Sequence, residues 1–222
     1  MKTPSVPSQL FTLLTMLKAN NNREWYQDHK EEYTELQHAF KAYGEQLHRE
    51  LQQHDPLDKM KVYRPYRDVR FSKDKTPYNV HRSISFFREG KGEYYLRLES
   101  HNSSVIIGYW DIDTNDLKRL RQEFEADATE IRDILSEPTF KTHFKGLEPI
   151  ELKTAPRGFD KEHENIDLIR KKSLLVKKSF TDEEVLRPNF FTKVLTAYQT
   201  AYPLLQYIDA VLATDANGEA LY

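Results

Sequence analysis

Cysteine is absent from this 222-residue chain. Disulfides, thiolate metal sites, iron–sulfur clusters and cysteine nucleophiles are therefore excluded, and a reducing compartment fits. The glycine-dependent phosphate motifs are missing too. There is no P-loop and no GxSxG elbow, and Gly90-Lys91-Gly92 is too short for a dinucleotide fingerprint. The eight histidines contain no HExxH and no ligand-like spacing, so neither a metal nor a cofactor is expected. No run approaches the roughly 18 apolar residues of a membrane span. The start, MKTPSVPSQLFTLL, lacks a long apolar segment and a small-residue cleavage site, which predicts no signal peptide. Asn102-Ser103-Ser104 matches a glycosylation sequon, which has no consequence in a cytosolic protein. The expectation is a soluble cytoplasmic protein with no membrane partner.

Aromatic residues make up 12% of the chain and charged residues 31%, which argues against disorder and for an aromatic core whose tyrosine hydroxyls need partners. The length allows one large domain or two small ones. No internal repeat or low-complexity linker divides it, so a single domain over residues 1–222 is expected. Apolar periodicity predicts a helix over 8–17. Asn21 with Glu24 then resembles a capping box. Trp25, His29, Tyr33, Leu36, Phe40, Tyr43, Leu47 and Leu51 form one stripe of a long helix over 21–53, stopped by Asp55-Pro56. Strands are predicted over 62–71, with Pro65 placing it at an edge, and over 83–87, 94–99 and 105–110, with a hairpin at Gly90 and Gly92. Residues 113–135 return to helix with Thr114 as N-cap. A helical turn or two over 166–171, a strand over 173–180 and a helix over 188–201 follow. Pro203 either kinks that helix or begins a last one through Leu212. Residues 214–222 read as a frayed tail. The fold class expected is α+β. A mostly antiparallel sheet of at least four strands packs against the long N-terminal helix and the C-terminal helices.

Charge is segregated. Lys59, Lys61, Arg64, Arg67, Arg70, Lys73, Lys75 and Arg82 face only Asp68 and Asp74 within 59–82, so this segment carries about +6 in a chain of net charge −2. Tyr63, Tyr66, Phe71 and Tyr78 interleave with the bases. On a pleated strand Tyr63, Pro65, Arg67, Val69 and Phe71 share one face. If that face meets the core, Arg67 is buried and needs a carboxylate, a structural ion pair. Arg64, Tyr66, Asp68 and Arg70 share the other face, where two guanidinium forks suit carboxylate or phosphate. Pro77 keeps Thr76 out of helical geometry, so 72–78 is a loop. The expected ligand-binding set is Arg64, Tyr66, Arg70, Lys73, Lys75 and Tyr78. The plainer alternative is a charged sheet edge that resists aggregation, with Asp68 and Asp74 paired to neighbouring bases.

A second cluster, Pro156-Arg157-Gly158-Phe159-Asp160 with His163, Asp167 and Arg170, adds Arg157 and Arg170 to the set. His163 is a general-base candidate, since an unperturbed histidine titrates near ~6.5. Arg23 and His29 stand at a helix start, where free amides favour anions. The expected function is a cytosolic binding protein for a small or polymeric anion, phosphate-bearing, using residues 64–78. One alternative is an enzyme acting on a phosphoester or nucleotide, with Asp68, Asp74 or His163 as acid, base or metal ligand. Carboxylates beside several bases stay ionised, which suits metal or electrostatic roles better than proton donation. Another is nucleic-acid binding by stacking on aromatics, against which a pI near 6.5 counts. A structural or protein-interaction role is the fourth.

Three blocks carry a family resemblance: LKANNNREWY at 17–26, YRPYRDVRFSKDKTPY at 63–78, and PRGFD at 156–160 with its continuation from Asp167 through Ser173. In them the chain resembles domain-of-unknown-function family 2461, a family of uncharacterised bacterial and fungal proteins. Tyr26, after the tryptophan, is a mild variation on the pattern. The resemblance implies a single-domain protein of this length. It implies no activity, substrate or cofactor, and no catalytic residue is carried over from it.

Overall fold

The computed structural model describes residues 5–214. Helices α1 (Leu10–Ala19), α2 (Arg23–Asp28) and α3 (Lys30–Leu51) come first. Strands β1 (Leu57–Val62), β2 (Arg82–Arg88), β3 (Glu93–Leu98) and β4 (Ser103–Tyr109) follow. Helices α4 (Thr114–Ala126), α5 (Thr129–Ser136), α6 (Pro138–His143) and α7 (Ile166–Ile169) precede β5 (Leu174–Phe180), α8 (Asp182–Leu186) and α9 (Phe190–Ala213). The strands form one antiparallel sheet in the order β1-β2-β3-β4-β5, and with 47% helix and 19% strand the class is α+β. Backbone contacts group the chain into two discontinuous units. The first holds the described residues up to Phe87, with Tyr95–Val105 and Ser179–Thr196. The second holds Arg88–Tyr94, Ile106–Lys178 and the described residues from Ala197.

In the first unit the long predicted helix is two helices. Asn22, not Asn21, caps α2, its side chain accepting from Trp25 N–H at 2.9 Å. His29 then leaves helical geometry at φ −108°, ψ 15°. Its ring stacks on Trp25 at 4.0 Å and its Nδ1 lies 2.9 Å from Trp25 O, the carbonyl its own amide also addresses. A side chain competing for the i−4 carbonyl is a local reason for the break. From α3 onward the stripe holds: Tyr33, Leu36, Phe40, Tyr43, Leu47 and Leu51 are all 2% exposed or less. This stripe faces β2. A Cβ on Gly44 would lie 2.5 Å from Ile84 Cδ1, and His48 stacks on Phe86 at 6.3 Å. Tyr43 also meets Phe190 and Phe191 at the start of α9. Helix α8 was not anticipated, although Thr181 and Glu184 form a reciprocal capping box.

In the second unit the helix expected over 113–135 divides at Asp127 and Ala128 into α4 and α5. Asp113, rather than Thr114, is the N-cap, accepting from the amides of Asn115 and Asp116, a bond set worth about 1 kcal/mol. Helix α6 was also missed; Glu137 caps it through Phe140 N–H at 2.8 Å. The edge of β5 is covered by a second segment: Leu147 bridges Val176, and Glu148 N–H donates to Leu175 O at 2.7 Å. Helix α9 runs through Pro203. The bond forfeited there is to the carbonyl of Gln199, and both Gln199 and Pro203 lie on the exposed side of the helix. The β2–β3 hairpin is pinned to α9 by Arg88, which pairs with Asp209 at 2.6 Å, and Tyr109 donates to the same carboxylate. Of the predicted tail, residues 215–222 lie outside the described residues.

Gly108 has the least room for change. Its φ is +135°, and a Cβ there would stand 2.0 Å from Leu174 O, a backbone atom of the neighbouring strand. Gly108→Ala is expected to lose more than about 2 kcal/mol of stability, from positive-φ strain added to the clash. Urea denaturation of the two proteins measures this, and equal midpoints would refute it.

Candidate functional site

Beyond Val62 the chain keeps a narrow pairing with the approach to β2. Tyr63 N–H donates to Ser83 O at 3.0 Å, Asn79 N–H to Pro65 O at 2.7 Å and Arg67 N–H to Pro77 O at 2.9 Å. Tyr66 makes an isolated antiparallel bridge with Tyr78. The strand expected over 62–71 is corrected accordingly. Pro65 and Pro77 have no amide proton, so a regular ladder cannot pass them, and the regular strand lies upstream as β1. The division into an inner and an outer face fails with it: Phe71 is 97% exposed, and the Arg67 side chain is 25% exposed rather than buried.

The basic loop neutralises much of its own charge. Arg67 pairs with Asp74 at 2.5 Å and donates to Thr76 O at 3.1 Å. Asp74 in turn accepts from the Thr76 amide at 2.9 Å and hydroxyl at 2.8 Å. The Thr76 amide, with Arg67 beside it, holds the Asp74 carboxyl down at about 2. Arg70 forks onto Asp68, whose pKa it lowers. Lys75 Nζ donates to Val69 O at 2.9 Å. Lys73 is exposed. Of the predicted set, Arg70 and Lys75 are thus engaged within the loop, and Tyr78 is only 2% exposed.

Tyr78 anchors the loop to the N-terminal helices. The Asn21 amide clasps its backbone, donating to Tyr78 O at 2.9 Å and accepting from Tyr78 N–H at 3.1 Å. Its ring stacks on Tyr26 at 4.0 Å and leans on Tyr66 at 5.3 Å. Two of the three resemblance blocks, 17–26 and 63–78, are therefore one structural unit.

Arg64 and Tyr66 line a cleft of about 480 Å³, together with Lys61, Val62, Tyr63, Asn79, His81, Ser83 and Tyr95. Tyr63 and Tyr95 meet edge to face at 6.2 Å, the Lys61 ammonium lies 4.7 Å over the Tyr63 ring, and Ser85 donates to the Tyr63 hydroxyl at 3.1 Å. Burial, then the Arg97 charge, pushes His81 down to about 4 against a weaker opposing pull from Glu99. His81 is therefore neutral at pH 7 and a poor proton acceptor. Lys61, Tyr63, Asn79, His81, Ser83 and Tyr95 were not among the predicted site residues. Period-two alternation on β1 and β2 is the signal that links Lys61 with Tyr63, and His81 with Ser83.

Arg157 and Arg170 belong to the second unit. Arg157 is exposed beside Gly158, whose φ is +92°. Arg170 is held by Glu151 at 2.9 Å and Leu152 O at 2.8 Å, and Asp167 by Arg132 at 2.8 Å. His163 Nδ1 accepts from Asn165 N–H at 3.1 Å. No group of three or more potential metal-ligating side chains occurs among the described residues. No described helix is long and apolar enough to cross a membrane.

Two outcomes check this geometry. The Asp74 carboxyl should titrate near about 2 in a carbonyl-detected NMR series; in Asp74→Asn, tryptic cleavage after Lys73 and Lys75 should accelerate several-fold. An unchanged cleavage rate would mean that the other loop bonds suffice. His81 should titrate near about 4, below its ordinary 6.5. The unfolded chain then binds the extra proton between these values. The stability owed to neutral His81 is whole above pH 6.5 and is lost as pH falls toward 4. A ring titrating at 6.5 would contradict its burial.

No curated protein and no solved structure matches the chain. The model of one family matches residues 9–207, which include all three blocks identified in the sequence. The chain belongs to the family described as conserved hypothetical protein (DUF2461).

Proposed function

We propose that this protein binds a small organic anion, carrying a phosphate and a planar group, in the cleft beside Arg64. The observation that carries this reading is the composition of the lining: two cations, Lys61 and Arg64, three tyrosines, Tyr63, Tyr66 and Tyr95, and no carboxylate. The guanidinium suits an oxyanion, and tyrosine ring faces suit a flat apolar body. The uncharged groups Asn79, His81 and Ser83 supply hydrogen bonds without opposing a negative ligand. A volume near 480 Å³ lies within the usual range for small-molecule sites, about 300–1,000 Å³.

Two features favour a small ligand over a nucleic-acid strand, and binding over proton-transfer catalysis. Arg67 and Arg70 are spent on Asp74 and Asp68, so the segment offers a local site rather than a continuous basic track. The acid–base candidates are poorly poised: Asp74 and Asp68 are held ionised, and His81 is held neutral with low basicity.

Isothermal titration with phenyl phosphate, inorganic phosphate and phenol tests the reading. Phenyl phosphate should bind best, because it alone uses both the cations and the rings. The Lys61→Ala/Arg64→Ala double variant should bind it at least about tenfold more weakly, equivalent to about 1.4 kcal/mol. Equal affinity in the double variant, or no binding by the unmodified protein, would end the proposal.

A further inference from the structure

The cleft beside Arg64 holds polar groups that a phosphate does not use. Asn79, on the approach to β2, lines it and is half-buried. Its backbone is already engaged, the N–H donating to Pro65 O at 2.7 Å. Its carboxamide meets no hydrogen-bond partner among the described residues, and the polar atoms of that group are accessible rather than sealed in the core. Nearby asparagines are spent: Asn21 clasps the Tyr78 backbone and Asn22 caps α2. His81 resembles Asn79. It lines the cleft half-buried and is neutral at pH 7. Its ring nitrogens are accessible and meet no hydrogen-bond partner among the described residues.

A ligand that fills the cleft strips water from these groups. A polar group desolvated without a new partner weakens binding. A plain apolar ring imposes that penalty. A ring whose edge carries a donor beside an acceptor does not. A carboxamide presents its C=O and NH2 side by side, and asparagine pairs with such an edge through two bonds, as it does with adenine. The neutral imidazole of His81 adds one donor and one acceptor. The rings of Tyr63, Tyr66 and Tyr95 border the same space, and aromatic side chains stack on any flat base.

We infer that the planar group bound here is a nucleobase and that the cleft is a site for a nucleoside monophosphate, with Asn79 reading the edge of the base. This rests on the reading of the cleft as a phosphate site, with Lys61 and Arg64 as its cations. The free mononucleotide is the form that fits. Arg67 and Arg70 are held by Asp74 and Asp68, so the adjoining loop offers a longer strand no track of phosphate contacts.

The test is isothermal titration with adenosine monophosphate, naphthyl phosphate and ribose phosphate. Naphthyl phosphate offers a flat bicyclic body without a polar edge, and ribose phosphate offers no ring to stack. Adenosine monophosphate should bind at least about fivefold more tightly than either, the lower bound for one bidentate pair. Asn79→Leu, similar in shape but apolar, should erase the margin over naphthyl phosphate while naphthyl phosphate itself binds as well as before. Equal affinity of the unmodified protein for adenosine monophosphate and naphthyl phosphate overturns the nucleobase. In that case naphthyl phosphate binding that is lost in Lys61→Ala/Arg64→Ala leaves the phosphate reading standing, whereas binding of none of the three ends both. The trinucleotide of the same base should bind no more tightly than the mononucleotide; tighter, steeply salt-dependent binding would assign a strand and overturn the mononucleotide. Should Asn79→Leu not fold, the Asn79 side-chain amide resonances of the unmodified protein decide. A downfield shift with adenosine monophosphate and none with naphthyl phosphate supports the assignment, and the same response to both overturns it.

Discussion

The parity of β2 controls the arrangement on both sides of this part of the sheet. Ile84 and Phe86 go under α3, where Ile84 fills the space beside Gly44 and Phe86 lies against His48, and both are fully buried. A strand alternates strictly, so the same choice turns Ser83 toward the cleft and Arg82 inward. The cleft inherits a hydroxyl and a neutral imidazole. The core inherits a cation. The close approach at Gly44, where Ile84 occupies the space a side chain would need, holds the helix in the register that makes this so.

The basic loop shows how weakly linear charge density predicts an electrostatic surface. Eight bases in 24 residues suggested a broad anion-binding strand. Once folded, Arg67 and Arg70 each close on a carboxylate a few residues away, and Lys75 closes on backbone carbonyls. These bonds shape the loop and, at its exposed positions, contribute little stability. The plainer expectation, in which Asp68 and Asp74 pair with neighbouring bases, describes these contacts. The loop's link to the helices is not electrostatic. It is the Asn21 clasp and the stacked rings of Tyr26 and Tyr78, groups that read in sequence as a helix cap, a core aromatic and a site-framing tyrosine.

What the sequence determined by itself is what depends on local periodicity and composition. The α3 stripe, the β2–β3 hairpin at Gly90 and Gly92, four of the five strands (β2 to β5) in outline and the family were all legible, because each is written in neighbouring residues. Helix breaks at His29 and Asp127 were less so, since each turns on one side chain or one dihedral. Thr181 and Glu184 carry a capping-box signal for α8 in neighbouring residues. Tertiary structure alone decided the candidate site. Lys61, His81 and Tyr95 lie on three different strands or their approaches, and nothing in their sequence spacing brings them together. The fate of Arg82 was decided the same way. Among eight similar bases it is the one whose parity matches Ile84, and only packing against Tyr33 makes that parity a burial.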